Sequence, residues 1–182
     1  MTILNEQDSL LLVIDVQEKL LNAVFNKDAL ENKSITMVKA AKILNIPIVV
    51  TEQYPKGLGA TKQSLQDILG DGFKYFEKTS FSAMDNSSIS ESINKSNKKQ
   101  VIIFGIETHI CVSQTVNALL QKGYDVTVIA DACGSRSELE HIAGLSRIED
   151  NGAHIITAEI ALFEWLKTSK HENFKAIQNL IK

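Results

Sequence analysis

Cysteine is scarce: the 182 residues hold only Cys111 and Cys133, too few for the disulfide framework of a small secreted domain. No apolar run approaches the roughly 20 residues that span a bilayer, so no membrane helix is expected. The opening MTILNEQDS lacks the basic stretch followed by an apolar one that marks a signal peptide, and the chain reads as cytoplasmic. An excess of positive charge is missing as well. Nineteen Lys and Arg stand against 22 Asp and Glu, a net of −3, which gives no field to hold a phosphate backbone, so nucleic acid is not an expected partner. There is no GxGxxG, GxxxxGK or GxSxG motif, which removes the common dinucleotide, nucleoside-triphosphate and acyl-serine readings. His109, His141, His154 and His171 are scattered, with no pair at ligand spacing, and read as surface or capping residues. Neither a metal nor another cofactor is expected.

What the chain does have is apolar material in a regular order. Its length amounts to about 1.2 domains of the usual size, so residues 1–182 are expected to form one domain. An apolar content of 44% is enough to fill its core. SLLLVID (9–15) and KKQVIIFGI (98–106) are continuous apolar runs of the kind that form strands buried on both faces of a parallel sheet. IPIVVTE (46–52), a short strand at 73–77, YDVTVIADA (124–132) and HIITA (154–158) supply the others. Apolar residues at three- and four-residue spacing predict helices between them: 18–43 in two pieces broken near 26–28, then 64–69 and 88–95. Further helices follow Glu107, with Gly123 just past the end, and cover 138–151 and 160–167. Residues 53–63 read as a surface loop. Strands alternating with helices predict an α/β domain on a parallel sheet. At the C-terminus Phe174, Ile177, Leu180 and Ile181 share a helical face that packs on the core or on another subunit.

Open parallel sheets bind ligands beyond the carboxyl ends of their strands, so the polar residues at those ends are the candidates. They are Asp15 and Gln17 after the first strand, Thr51, Glu52 and Gln53 at the second, and Glu77, Lys78 and Thr79 at the third. Glu107, Thr108, His109 and Cys111 follow the fourth. Cys111 lies in the first turn of its helix if Thr108 is the N-cap, and backbone N–H groups there would favour a thiolate and lower its pKa. A lone cysteine in an apolar helix is equally a small buried hydrophobe. Asp15, closing an apolar strand, needs a partner or the water of a cleft, or else caps the next helix. Lys78 taken alone reads as a solvated charge, and Cys133 as structural.

Taken together, IDVQ (14–17), EKTSFSAM (77–84) and GIETHICV (105–112) resemble the isochorismatase-like family of cysteine hydrolases, which includes nicotinamidases. ADACGSRS and TAEIALFEWL extend the resemblance over nearly the whole chain, and TEQYPKGLGAT is similar to the family's short isochorismatase-domain proteins of animals. The resemblance implies a Rossmann-like, three-layer α/β/α fold with a six-stranded parallel sheet in the order 3-2-1-4-5-6. It further implies a triad of Asp15, Lys78 and Cys111, a cis peptide between Ile106 and Glu107, an oxyanion hole from the N–H groups of Glu107 and Cys111, and a homo-oligomer. Nicotinamidases carry an Asp-x-His metal pattern after the second strand, and this chain reads TEQYP there.

Such a triad suits hydrolysis of an amide-like C–N bond in a small molecule. Asp15 takes the thiol proton, Lys78 favours the negative charges beside it, and the thiolate attacks a carbonyl to give a thioester that water releases. The pocket is expected to draw on Gln17, Glu52, Gln53, Tyr54, Phe81 and Thr108. Two alternatives remain open: isochorismatase-type cleavage of an ether, and a non-catalytic interaction protein that has kept the fold.

Overall fold

The computed structural model of the chain describes residues 3–182. Its centre is β1, Ser9–Ile14, in which all six residues are buried. β2 (Ile48–Gln53) and β4 (Gln100–Ile106) pair with it in parallel on either side. β3 (Tyr75–Lys78) extends the sheet beyond β2, while β5 (Asp125–Gly134) and β6 (His154–Ile156) extend it beyond β4. The order is 3-2-1-4-5-6, all parallel, as the resemblance implies. A strand covered on both faces has no solvent side, which is why β1 from Leu10 and β4 from Val101 carry no polar side chain instead of alternating. Each buried Val, Leu or Ile contributes about 1.5–3 kcal/mol relative to exposure.

The flanking helices are α1 (Glu18–Leu21), α2 (Lys27–Ile43), α3 (Pro55–Leu58), α4 (Gln63–Leu69), α5 (Ser87–Lys95), α6 (Ser113–Gln121), α7 (Glu138–Asp150), α8 (Ala158–Leu166) and α9 (Phe174–Gln178). α2 packs with α4 and α8, α6 packs with α7, and β5 touches members of both groups. α9 rests on α2 with Ile177 buried, so the C-terminal apolar face serves the core of this chain.

Two differences from the sequence expectation have local causes. The segment expected to be loop, 53–63, contains α3, because Pro55 at its first position is already set to a helical φ and Gly59 ends it at φ +85°. β5 runs on to Gly134 and takes in Cys133, which pairs opposite Gly105 after a bulge in the ladder. Gly105 itself has φ +136°, and a Cβ there would overlap the carbonyl oxygen of Ile14. β1 and β4 therefore pack backbone against backbone at the last residue of β1, and only glycine permits it.

Connections on the two sides of β1 and β4 run in opposite directions, which opens a crevice beyond their carboxyl ends. Asp15 leaves β1 into that crevice, and the turn carrying Cys111 leaves β4 into it.

Candidate active site

The chain turns sharply at Asp15, whose φ of +52° is left-handed, a region that Asp enters more readily than most residues. Backbone bonds fix the turn: Asp15 N–H donates to Thr51 O at 3.2 Å and Gln17 N–H to Asp15 O at 2.7 Å. The carboxyl is thereby held beneath the sheet edge and does not cap α1, whose N-cap Gln17 has no side-chain cap bond. Thr51 Oγ1 donates to Asp15 Oδ1 at 2.6 Å, and Lys78 Nζ lies 2.6 Å from Oδ2. Both charged side chains are fully buried, so Lys78 is not the solvated charge that its sequence context alone suggests.

Strand alternation decides who reaches this pair. Thr51 and Gln53 sit two apart on β2 and face the same way, and Gln53 stands in register with Lys78. Gln53 Oε1 accepts from Lys78 Nζ at 2.6 Å, and the ammonium also donates to the carbonyls of Ser80 (3.2 Å) and Phe81 (3.1 Å). The ammonium and Asp15 Oδ2 thus form a fully buried ion pair, with the Gln53 amide and two main-chain carbonyls around the same cation. Burial pushes the Asp15 carboxyl above its ordinary value of 3.8, with Lys78, Thr51 and Cys111 each pulling it back.

Cys111 enters from β4. The peptide between Ile106 and Glu107 is cis, and residues Thr108–Val112 form a π-helical turn before α6. Glu107 O accepts from Ile110 N–H at 3.1 Å and from Val112 N–H at 3.2 Å. Thr108 is not the N-cap: Glu107 holds that position without a side-chain cap bond. The Thr108 hydroxyl pairs instead with Nδ1 of His141 on α7 at 2.8 Å. Burial pushes the His141 imidazole below its ordinary pKa, with Glu138 opposing. The turn's neighbours are latched to the same segment, Glu107 Oε1 accepting from Arg136 Nε at 3.0 Å and His109 Nδ1 lying 3.0 Å from Ser135 Oγ.

The Cys111 thiol interacts with both Asp15 and Lys78. Its acidity corrects the sequence expectation. Burial first, and the facing Asp15 carboxylate second, push it up to about 12, with Lys78 opposing. The turn's backbone N–H groups do not overcome desolvation, so the resting sulfur is a thiol with a base beside it.

The remaining pocket candidates divide. Gln17 is fully buried, donating from Nε2 to the carbonyls of Gln53 and Gly59 and accepting from Gln53 N–H at 2.7 Å. Glu52 faces away from Asp15, its Oε1 accepting from Thr61 N–H and Oγ1, both at 2.7 Å. These two residues pin the 54–62 loop, and their polar ends are taken. Tyr54, with φ +39°, and Phe81 stay exposed at 56% and 54%, which leaves them as apolar surface at the ends of β2 and β3. Sequence reasoning gathered Thr51 among the strand-end candidates but gave it no role, though its parity with Gln53 signals one. The partnership of Thr108 with His141 has no short-range signal. Among the described residues, no cluster of three His, Cys, Asp or Glu is placed to hold a metal ion.

A buried acid, ammonium and thiol gathered at the crevice of a 3-2-1-4-5-6 parallel sheet mark this chain as a Rossmann-like α/β protein with its candidate site at the switch point of the sheet. More particularly, residues 9–160 match the Isochorismatase domain, and the chain belongs to that family. It is 38% identical over 178 residues to "Isochorismatase domain-containing protein 2" of Xenopus laevis, covering 98% of this chain and 85% of that one. The MAR1 ribonuclease structure from Caenorhabditis elegans superposes with a TM-score of 0.93 at 37% identity, covering 99% and 92%. YcaC of Pseudomonas aeruginosa, solved with hexane-2,5-diol and covalent acrylamide, gives 0.91 at 26% identity, covering 97% and 90%. YcaC of Escherichia coli, described as an octameric hydrolase of unknown specificity, gives 0.93 at 25%, covering 99% and 89%.

Proposed function

We propose that this chain is a metal-independent cysteine hydrolase that cleaves the C–N bond of a small amide-like molecule. The observation that carries the reading is the buried contact of Asp15 with Lys78, with the Cys111 thiol against the same carboxyl. Asp15 removes the thiol proton as sulfur attacks the substrate carbonyl, and the N–H groups of Glu107 and Cys111 receive the developing oxyanion. Each such donor contributes about 3–4 kcal/mol in the transition state. Asp15 then returns the proton to the leaving amine, and a water activated by the same carboxylate releases the thioester. Because the thiol rests protonated, proton transfer and attack belong to one step, unlike enzymes that store a thiolate. The covalent acrylamide on the Pseudomonas YcaC supports nucleophilic chemistry in this fold.

Metal independence rests on the strand end itself, where Gln53 is committed to Lys78 and Glu52 to Thr61, and where Pro55 follows. The exposed aromatic pair Tyr54 and Phe81 supplies the pocket's apolar surface. We read Phe25, Leu139 and Ile142, exposed around α7, as surface covered in a homo-oligomer, the state described for the E. coli neighbour.

The MAR1 name makes RNA a second substrate to test. A net charge of −3 and a thiol only 6% exposed oppose it, since an RNA strand requires a basic, open groove.

Ammonia release from nicotinamide, ureido acids and maleamate, compared for wild type and Cys111→Ala, tests the proposal. Turnover of one amide that vanishes in the variant supports it. Turnover of isochorismate that survives Cys111→Ala replaces it with the ether reading, and salt-sensitive RNA cleavage replaces it with the nuclease reading.

A further inference from the structure

We propose that α8 and the N-terminal segment beside it form a face on which two copies of this chain pair, with their α8 helices antiparallel about a two-fold axis at Phe163. The pairing rests on the homo-oligomer reading above and adds a second face to it, distinct from the one around α7.

α8 is apolar on two sides. Its inner side, with Leu162, Trp165 and Leu166, is buried, and Trp165 Nε1 donates to Ser9 Oγ of β1 at 2.9 Å. Its outer side presents Ile160 and Phe163, 45% and 42% exposed, and Ile3 stands next to them. A surface helix ordinarily turns polar residues outward, and one that is apolar on both sides is covered on both. Here the outer side lines a groove of about 660 Å³ that shares no residue with the candidate active site. Ile3 is not a loose end: its carbonyl accepts from Gln100 Nε2 at 3.2 Å, and the N–H of Leu4 donates to Glu164 Oε2 at 2.9 Å. The apolar surface is thus held in place, where exposed area of this kind calls for a cover.

The charges at the two ends of the groove select what covers it. Glu159 and Lys167 lie four residues before and four after Phe163, and both line the groove. The N–H of Lys167 donates to Phe163 O at 3.0 Å, which keeps the helical spacing to that point. The two charges are therefore roughly 12 Å apart at 1.5 Å of rise per residue. In an antiparallel pair centred on Phe163, Glu159 of each copy meets Lys167 of the other, so that two ion pairs flank the apolar centre. Parallel helices would set like charges against each other. The same chain turned over carries the right charges at the right separation, which is the self-complementarity that a two-fold contact requires. Antiparallel helices also bring the positive end of one dipole beside the negative end of the other. α8 packs on α2, and α7 on α6; the chain leaves β1 for β2 and β4 for β5 in opposite directions, so right-handed crossovers put these groups on opposite faces of the sheet. Both patches can be occupied at once.

The test reads the mass of the intact protein by analytical ultracentrifugation and its fold by circular dichroism. Phe163→Ser should halve the mass of the assembly. Glu159→Lys and Lys167→Glu, both at exposed positions, each turn two attractive pairs into two repulsive ones and should raise the dissociation constant about tenfold. The double variant should restore the wild-type mass. So should mixing the two single variants in equal amounts, because each supplies the charge that the other has lost. A substitution that merely loosens the fold gives neither rescue. If Phe163→Ser lowers the mass but both rescues fail, the antiparallel arrangement is overturned; if that variant does not fold, the charge variants decide. Leu139→Asp separates this face from the one around α7. If it lowers the mass of an oligomeric wild type while Phe163→Ser and the charge variants do not, only the α8 pairing falls. A monomeric wild type overturns both this pairing and the homo-oligomer reading, and dye fluorescence that Phe163→Ser abolishes would then mark the groove as a site for a small apolar molecule.

Discussion

The two cysteines form a natural contrast. Cys111 follows β4 and Cys133 lies within the neighbouring β5; both are buried, and both thiols are pushed up to about 12. By acidity they are twins. Their surroundings differ: Cys133 takes a backbone hydrogen bond from Gly105 and feels the charge of Asp131, whereas Cys111 faces both an acid and an ammonium. The difference teaches that resting acidity does not distinguish a nucleophile from packing here. What distinguishes it is a neighbour able to accept the proton during the reaction.

The largest test of that contrast is to remove each sulfur in turn. Cys111→Ala should lower amide turnover by at least about 10³-fold in an ammonia-release assay. Cys133→Ala should keep turnover within about threefold and lower the melting temperature by a few degrees, the response of a trimmed core residue. Equal losses of turnover would erase the distinction. Next, Asp15→Asn should cut turnover about 10²- to 10⁴-fold while leaving the thermal unfolding of the Cys133 region, followed by hydrogen exchange, in place. The pH dependence of kcat/KM sharpens the same point. Asp15 must be ionised to act as a base and its carboxyl is raised, so activity should climb through an acid limb lying above 3.8. No fall attributable to the thiol is expected until pH approaches about 12. A stored thiolate would place a limb near neutrality instead. Thr51→Val removes the donor on Asp15 Oδ1, and kcat should drop about tenfold with the fold kept, as read by circular dichroism. Smallest of all, dialysis against a chelator should leave turnover unchanged.

Much of this was legible in the sequence, and the exceptions follow a rule. The runs without a polar side chain at 10–14 and 101–106 announce strands covered on both faces, and polar residues at their ends announce the crevice. Asp15, Lys78 and Cys111 could be collected by that logic because each lies at a strand end. Burial of Lys78 could not be read from its own neighbours, since it depends on Gln53 from another strand and on two carbonyls beyond its own. Thr108 looked like a cap because caps are local, but its partner stands 33 residues away on α7. The lowered thiol pKa failed for a related reason: the benefit of a helix N-terminus is local, whereas desolvation is set by everything packed above it.

The seam between Gly105 and Ile14 has a consequence for variation. Most positions of β1 and β4 accept any aliphatic letter of suitable volume, so drift there changes little. Position 105 is a one-letter site: alanine, the smallest possible change, meets a main-chain oxygen that cannot step aside without moving the residue before Asp15. A library built on this scaffold can therefore vary the aliphatic positions of β1 and β4 among residues of similar volume, provided that this codon is left alone.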